Sequence, residues 1–362
     1  MSKGIASVNL SILLLVVAAS GLRAEEIRVF NWSDYIDETL LKKFEDETGI
    51  AVVYDVFESN EMLEAKLLAG NSGYDVVVPS DGFVRRQIAA GVFQEIDRSK
   101  LPNAVHEWDL IRQYTSEFDP GNQFTINYLW GTTGIGVNVG KVREILGDDV
   151  PLDTMELVFN PENMRALAKC GVYLLDAPGE VISAAMKYSG DVSTDAEAFE
   201  RAERVLSEIR PFVTKFDSSG YVTALANGEI CVAMGWSGDV LQATARAREA
   251  GEGVEIRYST FREGSLVWFD QMAIPADAPN PEGAHAFLNF MLDPENIAAV
   301  SNYVQYANGN LSSQQFLDAD VIGNAAIYPD AETLAALRVS AKWDVETVRR
   351  ANRLWTKIKS GT

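Results

Sequence analysis

Carboxylates and large aromatics gather where strands are predicted to end. Trp32, Ser33 and Asp34 follow a strand over 27–30, and Ser80 and Asp81 follow one over 75–79. Asp176 and Glu180 come after 172–175, Trp236 and Asp239 after 230–235. Trp268 and Asp270 flank Phe269 at the edge of a strand over 271–275, and Tyr306 opens an Ala-Asn-Gly turn. In open α/β sheets, ligands sit in the crevice beyond the carboxyl ends of the strands. None of these ends offers Lys or Arg. Acids without a basic partner, interleaved with aromatic rings, suit a cationic and partly apolar ligand. The carboxylates pair with its charges, while ring faces hold its methylenes and attract its cations.

Each residue also has a purely structural reading. Asp34, Glu180 and Asp239 sit near helix starts, where acids cap free N–H groups and complement the helix dipole. Trp32, Trp236 and Trp268 could pack a core, and Ser80 after a proline is an ordinary helix cap. Their joint placement at strand ends, rather than the acid count, favours a site.

The elements that position them alternate. After the first strand, Leu40, Leu41 and Phe44 recur at helical spacing until Gly49. A strand over 50–57, a helix over 62–68 and the strand over 75–79 follow. Successive β-α-β units imply a parallel, doubly wound α/β sheet with helices on both faces. Later strands are expected over 172–175, 230–235 and 254–259, and helices over 195–209, 240–250, 284–292 and 344–358. No low-complexity linker interrupts the chain, so two domains joined by crossing strands are expected.

Composition sets bounds. The 362 residues suit two domains, and 47% hydrophobic residues can bury a core. A net charge of −21 argues against nucleic acid and anionic membrane as partners. Two histidines, His106 and His285, make a histidine-rich metal site or a His-based triad a poor expectation. Residues 1–24 read as an export signal: Lys3, an apolar run from Val8 to Ala19, then small or weakly polar residues up to a cut after Ala24. That run is shorter than the ~20 residues a spanning helix needs. Cys170 and Cys231 are the only cysteines. In an oxidising compartment an even count favours a disulfide, with two separate buried thiols as the alternative.

Several segments resemble the periplasmic polyamine-binding proteins of ABC importers, most closely the putrescine-binding branch. They include 31–36 (NWSDYI), 54–61 (YDVFESNE), 74–80 (YDVVVPS), 130–136 (WGTTGIG), 175–178 (LDAP), 226–231 (ANGEIC) and 355–361 (WTKIKSG), so the resemblance runs along essentially the whole mature chain. The resemblance implies a type II periplasmic-binding-protein fold, with two α/β lobes, a hinge and closure on a ligand between them. Lobe 1 is expected over 25–132 and 268–303, and lobe 2 over 133–267 and 304–362. The implied ligand shell is Trp32, Ser33, Asp34, Ser80, Glu180, Trp236, Asp239, Trp268, Asp270 and Tyr306. Asp239 and Asp270 would hold ammonium groups, Asp34 and Glu180 would complete the polar shell, and the aromatics would line the methylene channel. A Cys170–Cys231 pairing is also implied. So are a periplasmic location, a permease partner, a monomer, and the absence of cofactor, metal and catalysis.

Two positions depart from the putrescine pattern. Trp268 stands where that branch tends to carry Phe and spermidine binders tend to carry Trp. Asp81 adds a carboxylate that a third ammonium could use, or that could face solvent at a helix start. Rival readings are an amine- or glycan-processing enzyme using Glu180 with an Asp, a polyamine sensor docking on a receptor, and a same-fold binder of another ligand. An amino-acid or carboxylate ligand would call for an Arg or Lys clamp.

Overall fold

Two sets of parallel strands flank a pair of antiparallel ones. The computed structural model describes residues 25–190, 193–330, 334, 337–339 and 343–361. The export segment and its cut after Ala24 lie outside the described residues. Strand β1 (Glu26–Trp32) pairs in parallel with β2 (Ala51–Phe57) and, on its other side, with β3 (Val76–Val77). Helix Glu38–Thr48 makes the first crossover. The Asp37 side chain caps its start by accepting from the Thr39 N–H, and Gly49, at φ 74°, ends it. Leu40 and Phe44 are one turn apart and bury the same face.

Strand β4 (Thr125–Asn138) is the longest and was not foreseen as a strand. A second parallel set follows: β5 (Val172–Leu174), flanked by β6 (Lys215–Phe216) and β7 (Val232–Trp236). Strands β8 (Ile256–Ser259), β9 (Leu266–Ala273), β10 (Ala307–Asn308) and β11 (Arg338–Val339) complete the sheet. Its order is β2-β1-β3-β9-β4-β7-β5-β6, with β8 and β10 on β4 and β11 on β9. The predicted parallel sheet is therefore mixed. Strand β9 runs antiparallel to β3 and β4, and β4 antiparallel to β7. These strands run between the parallel sets instead of closing a β-α-β unit, so no crossover helix imposes parallel pairing.

One core surrounds β5 and β7, with Leu174, Ile182, Leu206, Met234 and Trp355. Another surrounds β1, with Ile27, Val29, Phe44, Phe287 and Leu288. Strand β4 serves both, placing Ile126 and Leu129 in the second core and Ile135 and Val137 in the first. A smaller cluster joins Trp130 and Phe269 to Ala307, Val321 and Ile327. Cys170 and Cys231 form a disulfide just ahead of β5 and β7, with Cα atoms 5.5 Å apart. It ties the starts of those strands, at the end opposite their catch of acids and aromatics.

Candidate functional site

Three strand-to-helix turns point helix starts into one crevice. Helix Asp81–Ala89 follows β3, Pro178–Tyr188 follows β5, and Ser237–Ala250 follows β7. Such starts carry free N–H groups and a partial positive charge, and by default they attract anions. Here each first turn carries an acid of the chain itself: Asp81, Glu180 and Asp239. The helix starts thus bring carboxylates of the chain to the crevice, which becomes receptive to cations.

All ten residues of the expected shell line a single cavity of about 200 Å³, and so do Asp81 and Asp176. Trp32 donates its indole Nε1–H to the Val78 carbonyl at 3.0 Å. Its ring lies 4.6 Å from Phe57 and 6.1 Å from Trp236, which comes from the other parallel set. Trp268 and Tyr306 meet edge to face at 5.2 Å. Opposite Trp268 in the register stands Gly131, where a Cβ would lie 2.7 Å from the indole. Only glycine lets that ring lie against the strand.

The acids are held by hydroxyl and indole donors. Asp239 accepts from the Tyr306 hydroxyl at 2.7 Å and the Tyr221 hydroxyl at 2.9 Å. Asp270 accepts from the Tyr35 hydroxyl at 2.7 Å and from Ser80 at 2.5 Å. Glu180 accepts from the Trp236 Nε1–H at 3.0 Å and from the Thr133 hydroxyl. Burial pushes Asp239 and Asp270 up to about 6 and Glu180 up to about 7, and these donors pull the other way. The donors fix each carboxylate's position without neutralising it.

Two structural readings fail. Ser80 precedes its helix but makes no side-chain cap. Its hydroxyl instead bridges Asp270 and Asn60, whose Nδ2 donates to it at 2.9 Å. Asp34 does not cap the following helix, because Asp37 does. It sits at the rim in a left-handed conformation, φ 52°, with its side chain 77% exposed. Asp81 is buried, so it does not face solvent.

Sequence reasoning missed the groups behind the acids and the cations at the rim. Tyr35, Tyr221 and Thr133 orient the carboxylates; Tyr35 and Thr133 lie in segments quoted above for other reasons, and Tyr221 lies in none. The cavity also has two arginines, brought by helices rather than by strand ends. Arg246 was legible: Asp239, Gln242 and Arg246 are spaced to share one helix face, and all three line the cavity. Both arginines are engaged. Arg86 donates to Glu64, with one contact at 3.0 Å, and lies 3.7 Å over the Phe83 ring. Arg246 faces Asp34 at 4.0 Å. Neither histidine lines the cavity. Among the described residues, no group of three or more His, Cys, Asp or Glu could hold a metal ion.

Similarity to known proteins matches this geometry. Residues 39–329 match the family described as bacterial extracellular solute-binding protein. The chain is 48% identical over 338 residues to the putrescine-binding periplasmic protein SpuD of Pseudomonas aeruginosa, covering 92% of each. It is 45% identical over 353 residues to the putrescine-binding periplasmic protein PotF of Escherichia coli, covering 96% of this chain and 95% of that one. A solved structure, a putative spermidine/putrescine ABC transporter protein from Listeria monocytogenes, superposes with a TM-score of 0.82 at 31% identity, over 92% of this chain and 99% of that one. The fold is that of the periplasmic binding proteins, and the chain belongs to the bacterial extracellular solute-binding protein family.

Proposed function

We propose that the protein captures a polyamine, putrescine or spermidine, in this crevice and delivers it to the permease of an ABC importer. The observation that carries the reading is the state of Asp239 and Asp270. Both are oriented by two hydroxyl donors inside an aromatic-walled cavity. No described Lys or Arg forms an ion pair with either. A ligand bearing ammonium groups supplies that missing charge. Trp32, Trp236, Trp268 and Tyr306 enclose its methylenes, each contributing ~0.8 kcal/mol on burial. Desolvating the charges on both sides is costly, so several paired groups must act together. Ser33 and Asp34 complete the rim.

In this reading, residues 25–132 with 268–303 form one lobe and 133–267 with 304–362 the other, and they close over the ligand about β4 and β9. The chain is exported to the periplasm after loss of residues 1–24 and works there as a monomer, without catalysis. Calorimetric titration tests the reading. Protein stripped of ligand by unfolding and refolding is titrated with putrescine, cadaverine, spermidine and spermine, with arginine and citrate as controls. Micromolar or tighter binding of a polyamine is expected. A folded protein that binds none of the four would overturn the assignment.

A further inference from the structure

We propose that Asp81 makes this crevice select a triamine over a diamine, by supplying the counter-charge for a third ammonium. The inference rests on the polyamine reading and specifies its substrate. Asp81 lines the cavity and is only 1% exposed. Its carboxylate accepts from two backbone groups, the Gly82 N–H at 2.5 Å and the Phe269 N–H at 3.3 Å. Among the described residues no Lys or Arg pairs with it. The cavity's two arginines are committed elsewhere, Arg86 to Glu64 and Arg246 towards Asp34.

The charges that act most strongly on Asp81 are negative. Ser80 and Asp270 are bridged across the sheet, so Asp81 stands beside Asp270, and Glu180 is close enough to act on it. Burial, then the charges of Asp270 and Glu180, push the Asp81 carboxyl well above the usual carboxylate range, against the pull of the two N–H groups. Asp81, Glu180, Asp239 and Asp270 are four of the eight carboxylates that line the cavity. Of these four, a diamine with its two positive charges leaves two without a cationic partner, whereas a triamine leaves one. Next to Asp81, the exposed Gly82 lines the cavity too, and apart from its chain neighbours and its own helix backbone nothing lies within 4 Å of where its Cβ would be. An amine chain reaching past Asp270 has room on that side.

The competing role for Asp81 is structural, as a staple from the start of helix Asp81–Ala89 to β9. The two roles separate on ligand length. Wild-type protein, D81N and D81S are stripped, refolded and titrated calorimetrically with putrescine and spermidine, and each protein's melting temperature is recorded. The expected result is tighter spermidine than putrescine binding by the wild type. In the variants, spermidine affinity falls at least tenfold and putrescine affinity changes less than threefold. Equal losses for both amines, or no loss for either, would overturn the inference in favour of the staple. Should neither variant fold, the wild-type ranking decides, and putrescine binding tighter than spermidine refutes it. Wild type that is folded yet binds neither amine overturns the polyamine reading itself, and this inference with it.

Discussion

Tyr35 and Asp270, 235 positions apart in the chain, meet in a 2.7 Å hydrogen bond on the floor of the cavity. The tyrosine comes from the turn after β1 and the aspartate from β9. The bond therefore joins the first β-α-β unit to the antiparallel strand that returns beside it. Burial raises Asp270 to about 6 while the Ser80 and Tyr35 hydroxyls oppose the rise. Removing one donor in Y35F leaves the carboxylate harder to ionise and less well aimed. Ligand affinity at pH 7 is expected to fall roughly three- to tenfold, in line with about 1 kcal/mol for one hydrogen bond, as read by calorimetry.

Asp239 and Asp34 should behave differently, although both belong to the expected shell. D239N removes a charge oriented by two tyrosines, and truncating one partner of such a pair costs about 2 kcal/mol or more, roughly thirtyfold in affinity. Asp34 is at the exposed rim, where ion pairs are weak. D34A should change affinity less than about threefold and leave the melting temperature unmoved, since Asp37 caps the helix. A large stability loss in D34A would contradict this division of labour.

Gly238 carries the Tyr306 ring. A Cβ at Gly238 would stand 2.4 Å from Cε2 of that ring, and the ring is fixed by its hydroxyl bond to Asp239. G238A must displace either the tyrosine or the helix start, at about 1–3 kcal/mol of stability. Thermal unfolding should show that loss, and calorimetry a parallel loss of binding because Asp239 loses a donor.

Acid should act in opposite directions on stability and on binding. Asp239 and Asp270, at about 6, and Glu180, at about 7, lie above their ordinary values because of burial. Between pH 4 and 7 the folded, ligand-free protein thus holds more protons at these groups than the unfolded chain. Their contribution to stability declines as pH rises through that window and is recovered as pH falls. Binding of an ammonium requires the ionised acids, so affinity should fall by about tenfold or more from pH 7.5 to pH 5.5. Melting curves of stripped protein and titrations at the two pH values check both signs.

The disulfide should matter for stability and not for the ligand. Closing a loop of 61 positions stabilises by about 4 kcal/mol in the chain-entropy model. The bond lies at the starts of β5 and β7, while Trp236 is the last residue of β7 and Glu180 and Asp239 lie beyond the strand ends. The paired substitution C170S/C231S should lower the melting temperature and leave the polyamine affinity of the folded protein within about twofold.

Much of the molecule was legible in local pattern. Alternating strands and helices, Gly49 as a helix stop, and acids and indoles after strand ends are short-range features, written in neighbouring residues. They picked out shell members that line the cavity, from Trp32 to Tyr306, but the expected strand ends do not hold for all of them: Trp268 and Asp270 lie inside β9 and Tyr306 just ahead of β10. The local pattern could not tell which acid caps and which faces the cavity. Asp34 and Asp37 are three residues apart and alike in type, and only the chain's turn at φ 52° separates the rim from the cap. Nor could it see β4, whose threonine- and glycine-rich run becomes a strand because β7, β8 and β9 supply its hydrogen bonds. Tyr221 and Thr133 gained their roles the same way, from carboxylates 18 and 47 positions away. Residue types and spacing determined a crevice fit for cations. The tertiary structure decided which carboxylates are buried, which donors hold them and where an additional charge has room, because desolvation and hydrogen-bond geometry depend on what packs around a group.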